Sequence, residues 1–148
     1  MKIFVGADHQ GFHLRAGLLK YLRSNGYDIA DKGDATLQPD DDYPQFAGRV
    51  VAALLASDDP DSRGILLCGS GQGMCIAANR YKGIRACLGY DQKTVQSARN
   101  DDDSNVLCLP AAALETDEAF RIVETWLKTP FSAAPRYIRR NKELDELS

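Results

Sequence analysis

The chain has 148 residues, 44% of them hydrophobic, and a formal net charge of −3. This length and composition are typical of one globular domain with a full core. The negative charge gives no electrostatic reason to expect nucleic acid or an anionic membrane as a partner. No stretch approaches the roughly 20 apolar residues of a membrane span, and the first residues lack the apolar region of a secretory signal. We therefore expect a cytoplasmic protein.

The predicted elements alternate between short apolar strands and longer helices. In chain order we predict a strand at 3–5, a helix from Phe12 that stops at Asn25-Gly26, a strand at 27–30, a helix from Pro44 that ends before Asp58, a strand at 64–68, a helix at about 74–81, a strand at 84–88, a helix at about 92–100, a strand at 105–109, and helices at 115–127 and about 134–147.

This alternation predicts an α/β fold, a three-layer α/β/α, Rossmann-like arrangement in one domain spanning residues 1–148. We predict a five-stranded parallel sheet in the order 2-1-3-4-5, with residues 132–148 as an extra C-terminal helix that packs on a neighbouring subunit. Ligands of such sheets bind at the carboxyl ends of the strands, where the strand order reverses. The reversal lies between strands 1 and 3, so the loops after these two strands should meet.

The loop after strand 3 is the strongest local signal, with the sequence Cys-Gly-Ser-Gly-Gln-Gly from Cys68 to Gly73. Its glycines let the chain turn tightly and direct several N–H groups into one concavity, and the following helix adds positive potential. Such a loop can hold a phosphate or a developing oxyanion. It lacks the lysine of a Walker loop and has poor spacing for a dinucleotide site, and a purely structural turn is the alternative.

Cys68 differs from the other cysteines by its position at the end of a strand and the beginning of this loop. The four cysteines have no C-x-x-C spacing, which argues against a zinc site or a disulfide framework. A small buried side chain is the ordinary role of each, but a thiol at position 68 can act as a nucleophile or a base. Ser70 lies close enough to hydrogen-bond an oxygen beside it. A cysteine–histidine hydrolase would have to use His9 or His13.

The loop after strand 1 carries Asp8 and His9. These residues fit either the beginning of a helix or contacts to sugar hydroxyl groups and to a phosphate. On the last helix, Arg136 and Arg140 are spaced i, i+4, so they share one face and form a fork suited to phosphate; a solvated basic face is the alternative. The Asp101-Asp102-Asp103 run opposes the helix dipole at the end of its helix, which suggests a functional or interfacial role; a simple solvated turn is the equal alternative.

Taken together, these segments resemble the B-type ribose-5-phosphate isomerases, which belong to the same superfamily as the subunits of galactose-6-phosphate isomerase. The resemblance spans nearly the whole chain and is carried by Gly6 to Phe12, Asp42-Tyr43-Pro44, Cys68 to Gly73, Ile76 to Arg80, Gly83 to Ala86, Ser104 to Leu107, and Arg136 with Arg140.

The resemblance implies an aldose–ketose isomerase of the pentose phosphate pathway that works through a cis-enediolate and needs no metal or organic cofactor. Cys68 would be the base, and Ser70 with the loop amides would hold the enediolate oxygens. Asp8 would bind hydroxyl groups, while His9 and, from the neighbouring subunit, the two arginines would bind the phosphate. The family is dimeric or tetrameric, so we expect a homodimer or homotetramer with sites at the interface. The loop amides assigned to binding are those of Gly69, Gly71, Gln72 and Gly73.

The chain departs from the family pattern at two places. Asp101 and Asp102 stand where the family has a histidine that opens the furanose ring, followed by an asparagine, and no arginine follows strand 5. Asp101 could replace the histidine as a catalytic acid or base, with Asp102 binding substrate. Alternatively, the substrate is another sugar phosphate, such as a tetrose phosphate that needs no ring opening or a hexose phosphate. A non-catalytic subunit of a hetero-oligomer is a further alternative.

Overall fold

The computed structural model describes residues 1–147. It contains five strands and six helices in strict alternation until the last helix. In chain order these are β1 (Lys2–Ala7), α1 (Phe12–Ser24), β2 (Asp28–Asp31), α2 (Tyr43–Leu55), β3 (Arg63–Cys68), α3 (Gln72–Ala78), β4 (Ala86–Leu88), α4 (Gln92–Asp102), β5 (Val106–Pro110), α5 (Thr116–Lys128) and α6 (Pro135–Asp145).

All neighbouring strands of the sheet are parallel, as predicted, but their order is β2-β1-β3-β5-β4. The predicted order 2-1-3-4-5 is therefore wrong for the last two strands. The two strands differ in length and burial: β5 is buried along its whole length of five residues, whereas β4 has only three residues, all half-buried. A strand that buries both faces belongs inside a parallel sheet, and a short strand is suited to the edge. The reversal between β1 and β3 is unaffected.

The sheet separates two apolar cores. Leu18 of α1, Val95 of α4 and Trp126 of α5 pack on one face, and α2 and α3 cover the other. Because side chains alternate along a strand, Leu67 of β3 joins the first core and Cys68 joins the second. The fold class predicted from the sequence is confirmed, and it places the end of β3 directly beneath α3.

The last helix contacts its own chain through α4 and the loop before β4. Arg85 holds Asp145 with both carboxylate oxygens, at 2.9 and 3.0 Å from Nη1. Arg85 also donates from Nε to the carbonyl oxygen of Asp102 at 2.9 Å. These contacts fix the direction of α6, whose arginines at positions 136 and 140 stay exposed. That α6 also packs on a second subunit stays a prediction.

Within residues 1–147, every helix is too short or too polar to span a bilayer.

Candidate functional site

The loops that follow β1 and β3 lie side by side, as the strand order requires. The amide of Asp8 donates to the carbonyl oxygen of Leu67 at 3.2 Å. Gly11 touches the same carbonyl group, since a Cβ atom added there would lie 2.7 Å from the oxygen. The side chain of Gln10 lies over Gly69, where an added Cβ atom would displace its amide group. The two loops therefore form one continuous surface at the carboxyl end of the sheet.

Asp8 is the buried acid of this surface, with 5% of its area exposed. Its Oδ1 accepts hydrogen bonds from the amides of Gln10 at 2.9 Å and Gly11 at 3.2 Å. Burial raises the pKa of Asp8, and these two amide bonds partly offset the effect. Because both amides bind Oδ1, Oδ2 is the oxygen left to accept a hydrogen bond from a ligand hydroxyl group.

His9 is paired with Asp41, an acid that was not among the site residues predicted from the sequence. Oδ1 of Asp41 accepts from the His9 amide at 2.9 Å and lies 2.8 Å from Nδ1 of the ring. This pair and Asp8 place possible metal-ligating atoms within 4.8 Å of one another. The closeness follows from the hydrogen bonds between His9 and Asp41 and from the adjacency of Asp8 and His9 in the chain. The one signal for Asp41 in the sequence is the run of three aspartates before Tyr43 and Pro44.

Arg15 anchors the segment that carries Asp41. The side chain is buried, with 4% of the residue exposed, and Nη2 donates to the carbonyl oxygen of Asp34 at 2.5 Å. Nε lies 3.5 Å from Oδ1 of Asp31 at the end of β2. The guanidinium group lies against Gly33, where a Cβ atom would collide with it. The position of the loop after β2 thus depends on a buried arginine of α1, and no sequence pattern indicated this contact.

Cys68 ends β3 and is buried, with 5% of its area exposed. The backbone around it is tied to the end of β5, because the amide of Ala111 donates to the Cys68 carbonyl oxygen at 2.9 Å. The amide of Ala112 binds the carbonyl oxygen of Gly69 at 3.0 Å in the same way. The loop is therefore held from both neighbouring strands, and the small exposed part of Cys68 lies at the carboxyl end of the sheet.

The remainder of the loop turns directly into α3. Gly71 has a φ of +74°, and a Cβ atom there would lie 2.5 Å from Cδ1 of Leu88. Ser70 is exposed, and its Oγ accepts from the amide of Gln72 at 3.3 Å. The ring of Tyr43 covers Gly73, 2.8 Å from the position of an added Cβ atom. The helix begins at residue 72 rather than 74, because the left-handed turn at Gly71 already completes the change of direction.

Four of the residues assigned to the substrate from the sequence lie apart from Cys68 in the same chain: Asp101, Asp102, Arg136 and Arg140. Asp101 and Asp102 end α4 and precede β5, whose first residue, Val106, pairs with Gly64 at the beginning of β3. Cys68 is four residues further along β3, roughly 13 Å at the usual rise of a strand. Asp101 and Asp102 therefore lie toward the amino end of the sheet, and Cys68 lies at its carboxyl end. The structure does not bring the two groups together within one chain.

This second group of residues has its own geometry. Arg136 donates from Nη2 to the hydroxyl oxygen of Tyr137 at 3.1 Å and stacks on its ring, 4.6 Å from the centroid. Hydrogen bonding to Tyr137 raises the pKa of Arg136, and the charge of Asp101 adds to the effect. Loss of solvent and the charge of Asp101 raise the pKa of Asp102, whereas Arg85 and Arg140 lower it. Arg136 therefore interacts electrostatically with Asp101, and Arg140 with Asp102, within the same chain.

The carboxyl group of Asp101 is also engaged locally. Nδ2 of Asn100 donates to its Oδ1 at 2.7 Å. Asp102 lines a cavity of about 510 Å³ between the ends of α3, α4 and α6, together with Arg85, Cys87 and Leu144. That cavity does not include Cys68, so its volume alone does not identify the site of chemistry.

Comparison with known proteins extends over almost the whole chain. The family described as Ribose/Galactose Isomerase matches residues 3–144. The ribose-5-phosphate isomerase B of Mycolicibacterium paratuberculosis is 38% identical over 140 residues, which cover 95% of this chain and 87% of that protein. The crystal structure of a ribose 5-phosphate isomerase from Thermotoga maritima superposes with a TM-score of 0.92 at 40% identity, covering 99% of this chain and 98% of that one.

A further solved structure contains a ligand. The ribose-5-phosphate isomerase B of Mycoplasma genitalium, crystallised with bound ribulose-5-phosphate, superposes with a TM-score of 0.91 at 36% identity. The match covers 97% of this chain and 93% of that chain. At this level of identity and coverage, the similarity applies to the whole domain and not to the glycine-rich loop alone.

Proposed function

Because the chain belongs to the ribose/galactose isomerase family, we propose that it interconverts ribose 5-phosphate and ribulose 5-phosphate. The observation that carries this proposal is the meeting of the Asp8-His9 loop with the Cys68 loop at the carboxyl end of the sheet, in a chain that matches the family over residues 3–144. The relative crystallised with ribulose-5-phosphate supports the choice of substrate.

In the proposed reaction, Cys68 takes the proton from C2 of the open-chain aldose, and the electron pair of the broken C–H bond forms the cis-enediolate. The same proton or one from solvent returns to C1, the proton on O2 is transferred to O1, and the C2 carbonyl group of the ketose forms. The developing negative charge on the oxygens would be stabilised by Ser70 and by loop amides, a contribution typically worth roughly 100-fold or more in rate. Asp8 would accept a hydrogen bond from a sugar hydroxyl group through its free Oδ2.

The proposed site is completed by a second copy of the chain. Arg136 and Arg140 are exposed, and they lie near Asp101 and Asp102 rather than near Cys68 of their own chain, so they are available to the site of a neighbour. A symmetric dimer would bring the carboxyl end of one sheet to the α4–α6 end of the other, twice. Each site would then take the thiol from one subunit and the arginines from its partner, and a tetramer of such dimers is compatible with the same arrangement.

A second candidate substrate is a tetrose 4-phosphate. Such a sugar cannot close a furanose ring through its phosphorylated oxygen, so it presents a free carbonyl group without a ring-opening acid. One observation favours it: Asp101 replaces the family's ring-opening histidine and is hydrogen-bonded to Asn100. The alanines that follow β5, where the family has an arginine, predict weaker phosphate binding for either substrate. If the substrate is ribose 5-phosphate, Asp101 would take over ring opening. Retention of Cys68 and Ser70 argues against a non-catalytic subunit.

The test is an assay of the purified homo-oligomer with tetrose, pentose and hexose phosphates. An isomerase incorporates deuterium from deuterated water at C1 or C2 during turnover, which NMR detects. Turnover of ribose 5-phosphate with this exchange supports the first proposal, and exclusive turnover of a tetrose phosphate supports the second. A trapped covalent acyl-enzyme without exchange would indicate a thiol hydrolase and overturn both.

A further inference from the structure

The pairing of His9 with Asp41 has no part in the proton transfer described above. We propose that Asp41 is a positioning residue for substrate binding: it holds the His9 ring by Nδ1 and leaves Nε2 free for the phosphate group of the substrate. The identity of the ligand rests on the proposed function. The pairing itself is a property of this chain and is testable without turnover.

The geometry of the pair determines which ring nitrogen is available. A single oxygen of Asp41, Oδ1, lies 2.9 Å from the backbone nitrogen of His9 and 2.8 Å from Nδ1. An ionised carboxylate only accepts hydrogen bonds, so Nδ1 must carry a proton. The His9 side chain is 31% exposed and that of Asp41 is 12% exposed. The acid is therefore the more shielded partner, and Nε2 is the nitrogen that can meet a ligand.

The charges around His9 favour the cationic ring. The hydrogen bond to Asp41 is the main cause that raises the pKa of His9, and the carboxylates of Asp8, Asp41 and Asp40 raise it further, while partial burial lowers it. The ring is cationic below this raised pKa and loses its charge as the pH rises through it. A phosphate monoester is mostly a dianion at neutral pH, so His9 contributes most to phosphate binding while it stays protonated.

Asp41 can hold the ring because its own segment is anchored. The Asp41 amide donates to the carbonyl oxygen of Gln38 at 3.3 Å. Near the beginning of the segment, buried Arg15 binds the carbonyl oxygen of Asp34, and Nη1 of Arg49 lies 2.8 Å from the Asp34 carboxylate. Because two arginines fix this loop, Asp41 reaches His9 from a defined position.

The first test follows the charge of His9 directly. The chain has two histidines, so NMR can follow the His9 ring during a pH titration with His13 as an internal reference. In Asp41→Asn the midpoint of the His9 titration should move to lower pH, because the hydrogen bond to a charged acceptor is lost. The matched control is Asp40→Asn, since Asp40 acts on His9 only through its charge and should give a smaller change. An unchanged midpoint in Asp41→Asn would overturn the inference.

The second test follows phosphate binding in the intact oligomer. Asp41→Asn should raise KM for ribose 5-phosphate roughly tenfold, the usual effect of weakening one charged hydrogen bond, with kcat changed much less. The ratio of the variant KM to the wild-type KM should be largest in the pH range in which His9 is charged in the wild type but neutral in Asp41→Asn. Asp41→Glu should restore part of the binding. An unchanged KM would refute the phosphate role.

A third readout separates this inference from the proposed function. If the wild-type protein turns over none of the sugar phosphates, the proposed function fails, and inorganic phosphate then serves as the probe. Phosphate should shift the His9 resonances of the wild type at lower concentration than those of Asp41→Asn. Equal phosphate dependence in the two proteins would overturn the inference.

Discussion

The amide of Asp8 donates a hydrogen bond of 3.2 Å to the carbonyl oxygen of Leu67, and this contact joins the loop after β1 to the end of β3. Leu67 is buried in the core between the sheet and α1, and the next residue, Cys68, faces the opposite core. The acid and the thiol proposed to act on one substrate are thus held by adjacent residues of a rigid sheet.

Replacement of Cys68 by alanine should lower kcat by roughly 100- to 10,000-fold, the usual contribution of a general base. The fold should survive, because one buried sulfur atom is lost, at a cost of about 1 kcal/mol of unfolding free energy. Steady-state kinetics and thermal unfolding measure the two effects. Cys87→Ala is the matched control and should keep its activity, since Cys87 lies on the edge strand β4. Turnover retained in Cys68→Ala would remove the thiol from its proposed role.

Mixing two inactive variants tests the proposal that two subunits share each site. Cys68→Ala and Arg140→Ala homodimers should each be nearly inactive at limiting substrate. Random exchange of their subunits should then restore about a quarter of the wild-type sites, because half of the dimers are mixed and each mixed dimer has one intact site. The measurement is activity before and after a reversible dissociation step. Absence of recovery, with subunit exchange verified by mass spectrometry, would mean that both residues act on the same chain's site, and an active Arg140→Ala parent would mean that the arginine has no role.

Arg136→Ala and Arg140→Ala should each raise KM more than they lower kcat. Phosphate is bound in both the ground state and the transition state, so loss of this uniform binding appears mainly in KM. An increase of about tenfold or more is expected for a charge-assisted contact. Arg139→Ala is the control on the same helix, one residue away from the face that the other two share. A fall in kcat without a change in KM would contradict the phosphate role.

Gly71→Ala should destabilise the protein more than Gly26→Ala. Both glycines have positive φ values, +74° and +80°, so both substitutions carry backbone strain of about 1–2 kcal/mol. An added Cβ atom has free space at Gly26 but would lie 2.5 Å from Leu88 at Gly71, which adds a collision that the core must absorb. Denaturant unfolding of the two variants gives the difference. Equal losses would show that the loop adjusts to a side chain at position 71.

The sequence determined the helices and strands, the parallel sheet and the meeting of the loops after β1 and β3. The helices and strands follow from the spacing of the hydrophobic residues, and the sheet follows from the right-handed connection of each strand to the next through a helix. It did not determine that β5 lies between β3 and β4, since the order of the last two strands depends on which one buries both faces in the assembled sheet. Nor could it predict that Asp41 pairs with His9, 32 residues away, or that buried Arg15 fixes the intervening loop. Such contacts join segments that are remote along the chain, and only tertiary packing decides which charged side chains come within hydrogen-bonding distance.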